Sequence, residues 1–127
     1  MKFSVGVDIE NTERFPNNDA GSSDRFLDKV FTDAELEYCF NKEKPSQHLA
    51  GRFAAKEAGF KALEQIESVN RVHITQIEVI QTGGYGPPEI TGPGMNSINS
   101  SLSISHTTDK AIAFVMMFEQ DGEYNAR

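Results

Sequence analysis

The chain has 127 residues, 38% hydrophobic and 24% charged, and its 12 Lys and Arg against 19 Asp and Glu give a formal charge of −7. That length holds one domain with an ordinary core, and the acidic balance excludes non-specific nucleic-acid binding, which needs a basic footprint. A lone cysteine, Cys39, excludes an internal disulfide, the N-terminus reaches Asp8 too early for a signal-peptide core, and no run nears the ~18 apolar residues of a membrane helix. The expectation is a protein of the reducing cytoplasm.

Phe3 to Glu10 alternates, which predicts a strand with Phe3, Val5, Val7 and Ile9 on one face and Ser4, Gly6, Asp8 and Glu10 on the other. Acidic residues are unfavourable in strands, so Asp8 and Glu10 mark either a solvated sheet face or part of a metal site. Gly6 beside them leaves room for a ligand or another backbone. Pro16 to Ser23 is a loop by composition. Asp24 to Val30 predicts a short helix capped by Ser22 or Ser23, with Arg25 and Lys29 one turn apart. Thr32 caps a second helix to about Phe40, Glu35 completing a capping box and Leu36, Cys39 and Phe40 turning inward.

Pro45 suits the start of a long helix from about Ser46 to Glu67. Leu49, Phe53, Phe60 and Leu63 fall within roughly 80° of one another on it, forming an apolar stripe. Ala54, Ala55, Ala58, Gly59 and Ala62 form a small-residue face that another backbone can approach. Lys56 lies inside the apolar stripe, which is unusual unless its stem packs there and its head reaches a cleft. Glu57 and Lys61, spaced i,i+4, sit beyond the Phe53 edge, where the plain reading is a helix surface pair.

The second half is mostly strand. Val72 to Gln81 is rich in Ile and Val, Thr82 to Pro88 is a strong turn signal, and Glu89 to Thr91 suits a brief return strand. Gly92 to Ser101 is a loop with a helical turn at Met95 to Ile98, and Ser101 to His106 alternates. Ala111 to Phe118 is apolar throughout and predicts a central strand. The fold class expected is α+β: a single domain over 1–120, a long central helix packed on a mostly antiparallel sheet, and a polar tail at 121–127.

Three clusters carry chemistry: the carboxylates Asp8, Glu10 and Glu57; the cations Arg52, Lys56 and Lys61; and Ser103, Ser105 and His106 beside a hairpin turn. His48 and His73 have no evident partner. No nucleophile-elbow pattern surrounds the serines. Carboxylates and cations together suit magnesium and a polyphosphate, but no Walker loop or Gly-x-Gly-x-x-Gly fingerprint is present.

Gly6-Val-Asp-Ile-Glu10 with Arg14-Phe15, Phe31-Thr-Asp-Ala-Glu-Leu-Glu-Tyr-Cys39, Leu49-Ala-Gly-Arg-Phe-Ala-Ala-Lys-Glu-Ala58 with Lys61-Ala-Leu63, and Ser103-Ile-Ser-His106 resemble the 4′-phosphopantetheinyl transferases in their short, single-domain holo-acyl carrier protein synthase form. The resemblance implies transfer of 4′-phosphopantetheine from coenzyme A to a serine of an apo acyl carrier protein. It also implies a magnesium requirement and a homotrimer with active sites between subunits. By motif position, Asp8 and Glu57 become metal ligands, Lys61 assists the leaving group, and Arg52, Lys56 and His106 hold coenzyme A phosphates. The serine proton goes to Glu57 or to a metal-bound water, and Arg14, Arg25 and Lys29 suit docking of an acidic carrier protein. Two departures stand out. Gly86-Pro87-Pro88 replaces the family's Gly-Lys-Pro, removing a cation near the nucleotide, and Glu10 makes an Asp-x-Glu pair more like that of the larger, two-repeat members, which leaves open whether Glu10 is a third metal ligand. The alternative is a non-catalytic module that binds coenzyme A or a carrier protein.

Overall fold

The computed structural model describes residues 2–18, 25–66, 72–81 and 86–119. In chain order they form β1 (Lys2–Asn11), α1 (Arg25–Val30), α2 (Asp33–Phe40), α3 (Pro45–Glu64), β2 (Glu78–Ile80), β3 (Glu89–Thr91), β4 (Ile98–His106) and β5 (Lys110–Glu119). The α+β expectation is met: an antiparallel sheet of order β1-β5-β4 packs on α3, with a small antiparallel pair, β2-β3, beside it. The cap proposed at Ser22 or Ser23, the turn around Thr82 to Tyr85 and the tail at 121–127 fall outside the described residues.

α3 begins with Pro45 at its first turn, where the missing N–H costs nothing, and ends at Glu64, sooner than expected. Its small face does what the spacing predicts. Ala54, Ala55, Ala58 and Ala62 are fully buried in one cluster with Ala113, Val115 and Met117 of β5. Gly6 sets how close β1 comes, since a Cβ there would lie 1.9 Å from the Ala58 carbonyl oxygen. Leu49 and Phe53 turn the other way, into a second cluster with Phe15, Leu27, Phe31 and Cys39. Cys39 is a core residue as expected, and burial pushes its thiol up to about 12.

The capping box of α2 forms as predicted, Thr32 accepting from the Glu35 N–H and Glu35 from the Thr32 N–H. The stretch from Val72 is less regular than expected: Ile74–Gln76 is a 3-10 turn capped by His73, and only Glu78–Ile80 is strand. No helical turn spans Met95 to Ile98; two successive turns carry the chain into β4, which starts at Ile98 rather than Ser101.

The sheet has one covered face. Ser4, Gly6, Asp8 and Glu10 point toward α3, so the apolar set of β1 is on the outside. Phe3, Val5, Val7 and Ile9 are at least half exposed, as is nearly the case for Ile112 and Phe114 of β5. Val7 pairs with Phe114 and Ile9 with Ile112, so these side chains form one continuous apolar surface.

Candidate active site

β1 and α3 build an acidic edge. Because Gly6 draws β1 onto α3, Asp8 meets the helix one turn further along. Lys61 reaches across to β1, its Nζ 3.3 Å from Asp8 Oδ1 and donating to the Val7 carbonyl at 3.1 Å. It therefore pairs with Asp8 rather than serving as a helix surface pair with Glu57. Asp8 Oδ2 is buried and has no hydrogen-bond partner. An unpartnered carboxylate oxygen out of water is costly unless something cationic meets it.

Glu57 is partly buried, and burial and then the Asp8 charge push its carboxyl above the ordinary range, with Lys61 and Arg14 opposing. Glu10 is pushed up to about 7, first by burial and then by the neighbouring Asp8 carboxyl. Its Oε1 also accepts from Arg14 at 2.9 Å. The Arg14 guanidinium lies 4.8 Å from the Phe26 ring centre and 5.1 Å from that of Phe53, on top of the aromatic cluster. Among the described residues, no three His, Cys, Asp or Glu side chains converge into a ready-made metal cage. Magnesium does not ask for one, since it uses one or two carboxylates and fills its shell with water and phosphate.

The N-terminal half of α3 builds a basic cleft of about 160 Å³ with α2 and β4, lined by Tyr38, His48, Arg52, Pro88, Ile104 and His106 among others. Arg52 is buried, its guanidinium 4.0 Å from the Tyr38 ring centre. The His48 ring centre lies 6.1 Å from that of His106 and 6.1 Å from that of Tyr38. Arg52 and His106 are thus brought together as the sequence implied, and Pro88 supplies part of the wall. His48, which had no partner in sequence, joins them. Its only sequence signal is its place one turn before Arg52.

Two expectations are corrected. Lys56 does not reach a cleft: its Nζ is 2.6 Å from Glu35 Oε1, and both side chains are fully buried. Glu35 also accepts from the Thr32 and Val79 N–H groups, so the residue that caps α2 is the anchor for a lysine of α3 and a strand of the second sheet. Lys56 is therefore unavailable to a phosphate. The grouping of Ser103 and Ser105 with His106 also fails. Alternation along β4 puts His106 on the α3 side with Leu102 and Ile104, while the serines face outward opposite Phe114 and Ile112.

The acidic and basic sites do not meet. Glu57 follows His48, and Lys61 follows Arg52, by nine residues, about 180° around the helix. Asp8 is on β1 and His106 on β4, the two opposite edges of the sheet.

The profile of the 4′-phosphopantetheinyl transferase superfamily matches residues 4–115. A holo-[acyl-carrier-protein] synthase of Thermodesulfovibrio yellowstonii is 41% identical over 92% of this chain and 99% of its own. One of Leptospira biflexa is 38% identical over 93% and 98%. Among solved structures, the Chronobacterium ammoniagenes ACPS–CoA complex aligns with TM-score 0.75 and 27% identity, covering 95% of this chain and 100% of that one. The Helicobacter pylori holo-[acyl-carrier-protein] synthase in complex with coenzyme A aligns with TM-score 0.71 and 29% identity, over 90% and 99%. Four motif blocks in order, the α3-on-sheet fold and these matches agree: the chain belongs to the 4′-phosphopantetheinyl transferase superfamily, in its short, single-domain holo-acyl carrier protein synthase form.

Proposed function

We propose that this chain transfers 4′-phosphopantetheine from coenzyme A to a serine hydroxyl of an apo acyl carrier protein. The products are the holo carrier protein and adenosine 3′,5′-bisphosphate. The names of its relatives support the acceptor, and the coenzyme A complexes among its structural neighbours support the donor. The observation that carries the chemistry is the acidic edge, where Lys61, Asp8 and Glu57 meet around a carboxylate oxygen left without a partner.

That edge fits magnesium. Asp8 Oδ2 is an oxygen donor in need of a cation, and burial and then the Asp8 charge hold the Glu57 carboxyl above its ordinary pKa, a rise that a bound cation would offset. Asp8 and Glu57 would hold the ion, which when bound neutralises the pyrophosphate and orients it for attack. Glu10 is paired with Arg14, so we leave it out of the ligand set. Glu57 stands beside Asp8 and accepts the serine proton as the hydroxyl oxygen attacks the pantetheine-side phosphorus. The bond that breaks joins that phosphorus to the bridging oxygen of the pyrophosphate. The departing bisphosphate keeps the bonding electrons. Lys61 is half exposed beside Asp8, and its ammonium offsets the charge gathering on the leaving oxygen.

Arg52 and His106 hold the coenzyme A phosphate remote from the reacting one. Since their cleft lies on the far side of α3 from Glu57, one chain does not supply both ends of a single donor molecule. A homotrimer resolves this: the acidic edge of one subunit meets the basic edge of the next, a head-to-tail contact that closes into a ring. The uncovered apolar face of β1 and β5, where Phe3, Val5, Val7, Ile9, Ile112 and Phe114 lie side by side, supports such an assembly. Arg25 and Lys29, exposed on α1, offer a basic approach for an acidic carrier protein, with Arg14 partly spent on Glu10. The lone, buried cysteine suits a reducing cytoplasm. Incubation with coenzyme A, magnesium and apo carrier protein, read by intact mass, tests the proposal.

A further inference from the structure

We propose that His48 is a second phosphate-binding imidazole in the Arg52–His106 cleft, and that it makes capture of the donor's phosphate monoester proton-linked. The inference rests on the coenzyme A reading of that cleft and adds a residue and a regulation to it.

His48 lines the basic cleft with its ring centre 6.1 Å from that of His106, the two planes tilted 62° apart. Among the described residues, every charged group that acts on it is cationic or an imidazole: Arg52 on its own helix, Lys42 just after α2, and His106 on β4. Tyr38 closes the α2 side with its ring, and no carboxylate lines the cleft among the described residues. An imidazole set among cations with no counter-charge has a missing partner, and the partner that fits is an anion. The first turn of α3 adds to the attraction, since the helix N-terminus favours negative charge.

Burial, then Arg52, His106 and Lys42, holds the His48 pKa below its ordinary value, so the empty cleft keeps this ring neutral near pH 7. A phosphate dianion entering beside Arg52 reverses the sign of the local field. It supplies an acceptor for a ring N–H and restores the charged form. The sign follows. Binding takes up a proton in the window between the lowered free value and the raised bound one, so affinity increases as pH falls through neutrality. Coenzyme A carries both a pyrophosphate diester and a ribose phosphate monoester. The diester is engaged at the acidic edge, which leaves the monoester, with its second ionisation near pH 6, for this cleft.

The experiment is calorimetric titration of the intact protein with coenzyme A at one pH near 7, in two buffers of different ionisation heat, for wild type and His48→Gln. Wild type is expected to bind with net proton uptake. His48→Gln is expected to bind several-fold more weakly, with uptake reduced by up to one proton, and to approach wild-type affinity about two pH units higher. Dephospho-coenzyme A, which lacks the monoester, is expected to show none of the His48-dependent uptake. A second readout uses wild type alone: the His48 C2–H resonance should titrate at higher pH with coenzyme A bound than without. If coenzyme A binds both proteins with the same proton uptake, or the His48 titration does not move, the inference is overturned while the coenzyme A reading stands. If His48-dependent uptake persists with dephospho-coenzyme A, the monoester assignment is wrong. If wild type binds no coenzyme A, the underlying reading itself fails.

Discussion

Lys56 and Glu35 form a fully buried ion pair, Nζ to Oε1 2.6 Å, that ties α3 to the N-terminus of α2. The pair is embedded rather than bare, because Glu35 is also hydrogen-bonded by two backbone N–H groups. Removing one partner leaves a charge in the core with nothing to balance it. Lys56→Met is expected to destabilise the protein by about 3–5 kcal/mol, and the double change Lys56→Met with Glu35→Gln by less. Urea unfolding of the three proteins measures both, and equal losses in the single and double variants would show that the pair is not coupled.

Gly6→Ala tests how β1 and α3 meet. The new Cβ would lie 1.9 Å from the Ala58 carbonyl oxygen, a backbone atom with no rotamer to escape by. The expected cost is about 3 kcal/mol, the upper end for overpacking, with loss of activity as Asp8 is pushed away from α3. A melting temperature unchanged from wild type would mean that the strand does not sit this close.

These two contacts also mark how far the sequence could be read. Alternation sorted β1 into its two faces, and the helical period found both the alanine face of α3 and the anomaly of Lys56. Alternation does not say which strand face is covered, and here Phe3, Val5, Val7 and Ile9 are the uncovered ones. The partner of Lys56 was visible as a capping-box glutamate, but a pairing across 21 residues is set by how helices pack, not by local spacing. His48 meets His106 for the same non-local reason. Ser103 and Ser105 were grouped with His106 by proximity in sequence, which a strand's two-residue period undoes.

Glu57→Gln is expected to keep the fold and lose turnover. Its carboxylate is held at raised pKa by burial and by Asp8, so neutralising it removes a repulsion in the metal-free protein. Circular dichroism and melting should match wild type or exceed it slightly, while chelation of magnesium should silence wild type in the same assay. A near-wild-type rate in Glu57→Gln would show that the ligand and base assignments are wrong.

The half-turn between the acidic and basic sites predicts complementation between subunits. Asp8→Ala and Arg52→Ala are each expected to be inactive alone. Co-expressed, they should recover activity, to roughly a quarter of wild type for random mixing in a closed ring where each site draws one edge from each neighbour. Phe114→Glu, on the uncovered sheet face, should release monomers in light scattering and abolish that recovery. No recovery between the two point variants would argue for sites complete within one chain.

Group transfer leaves its record on the acceptor, where intact-mass spectrometry reads it. With the protein, coenzyme A and magnesium, an apo acyl carrier protein should gain the mass of one 4′-phosphopantetheine, lost again when its acceptor serine is replaced by alanine. Carrier proteins that stay at their apo mass across a panel of fatty-acid and polyketide types would contradict the account.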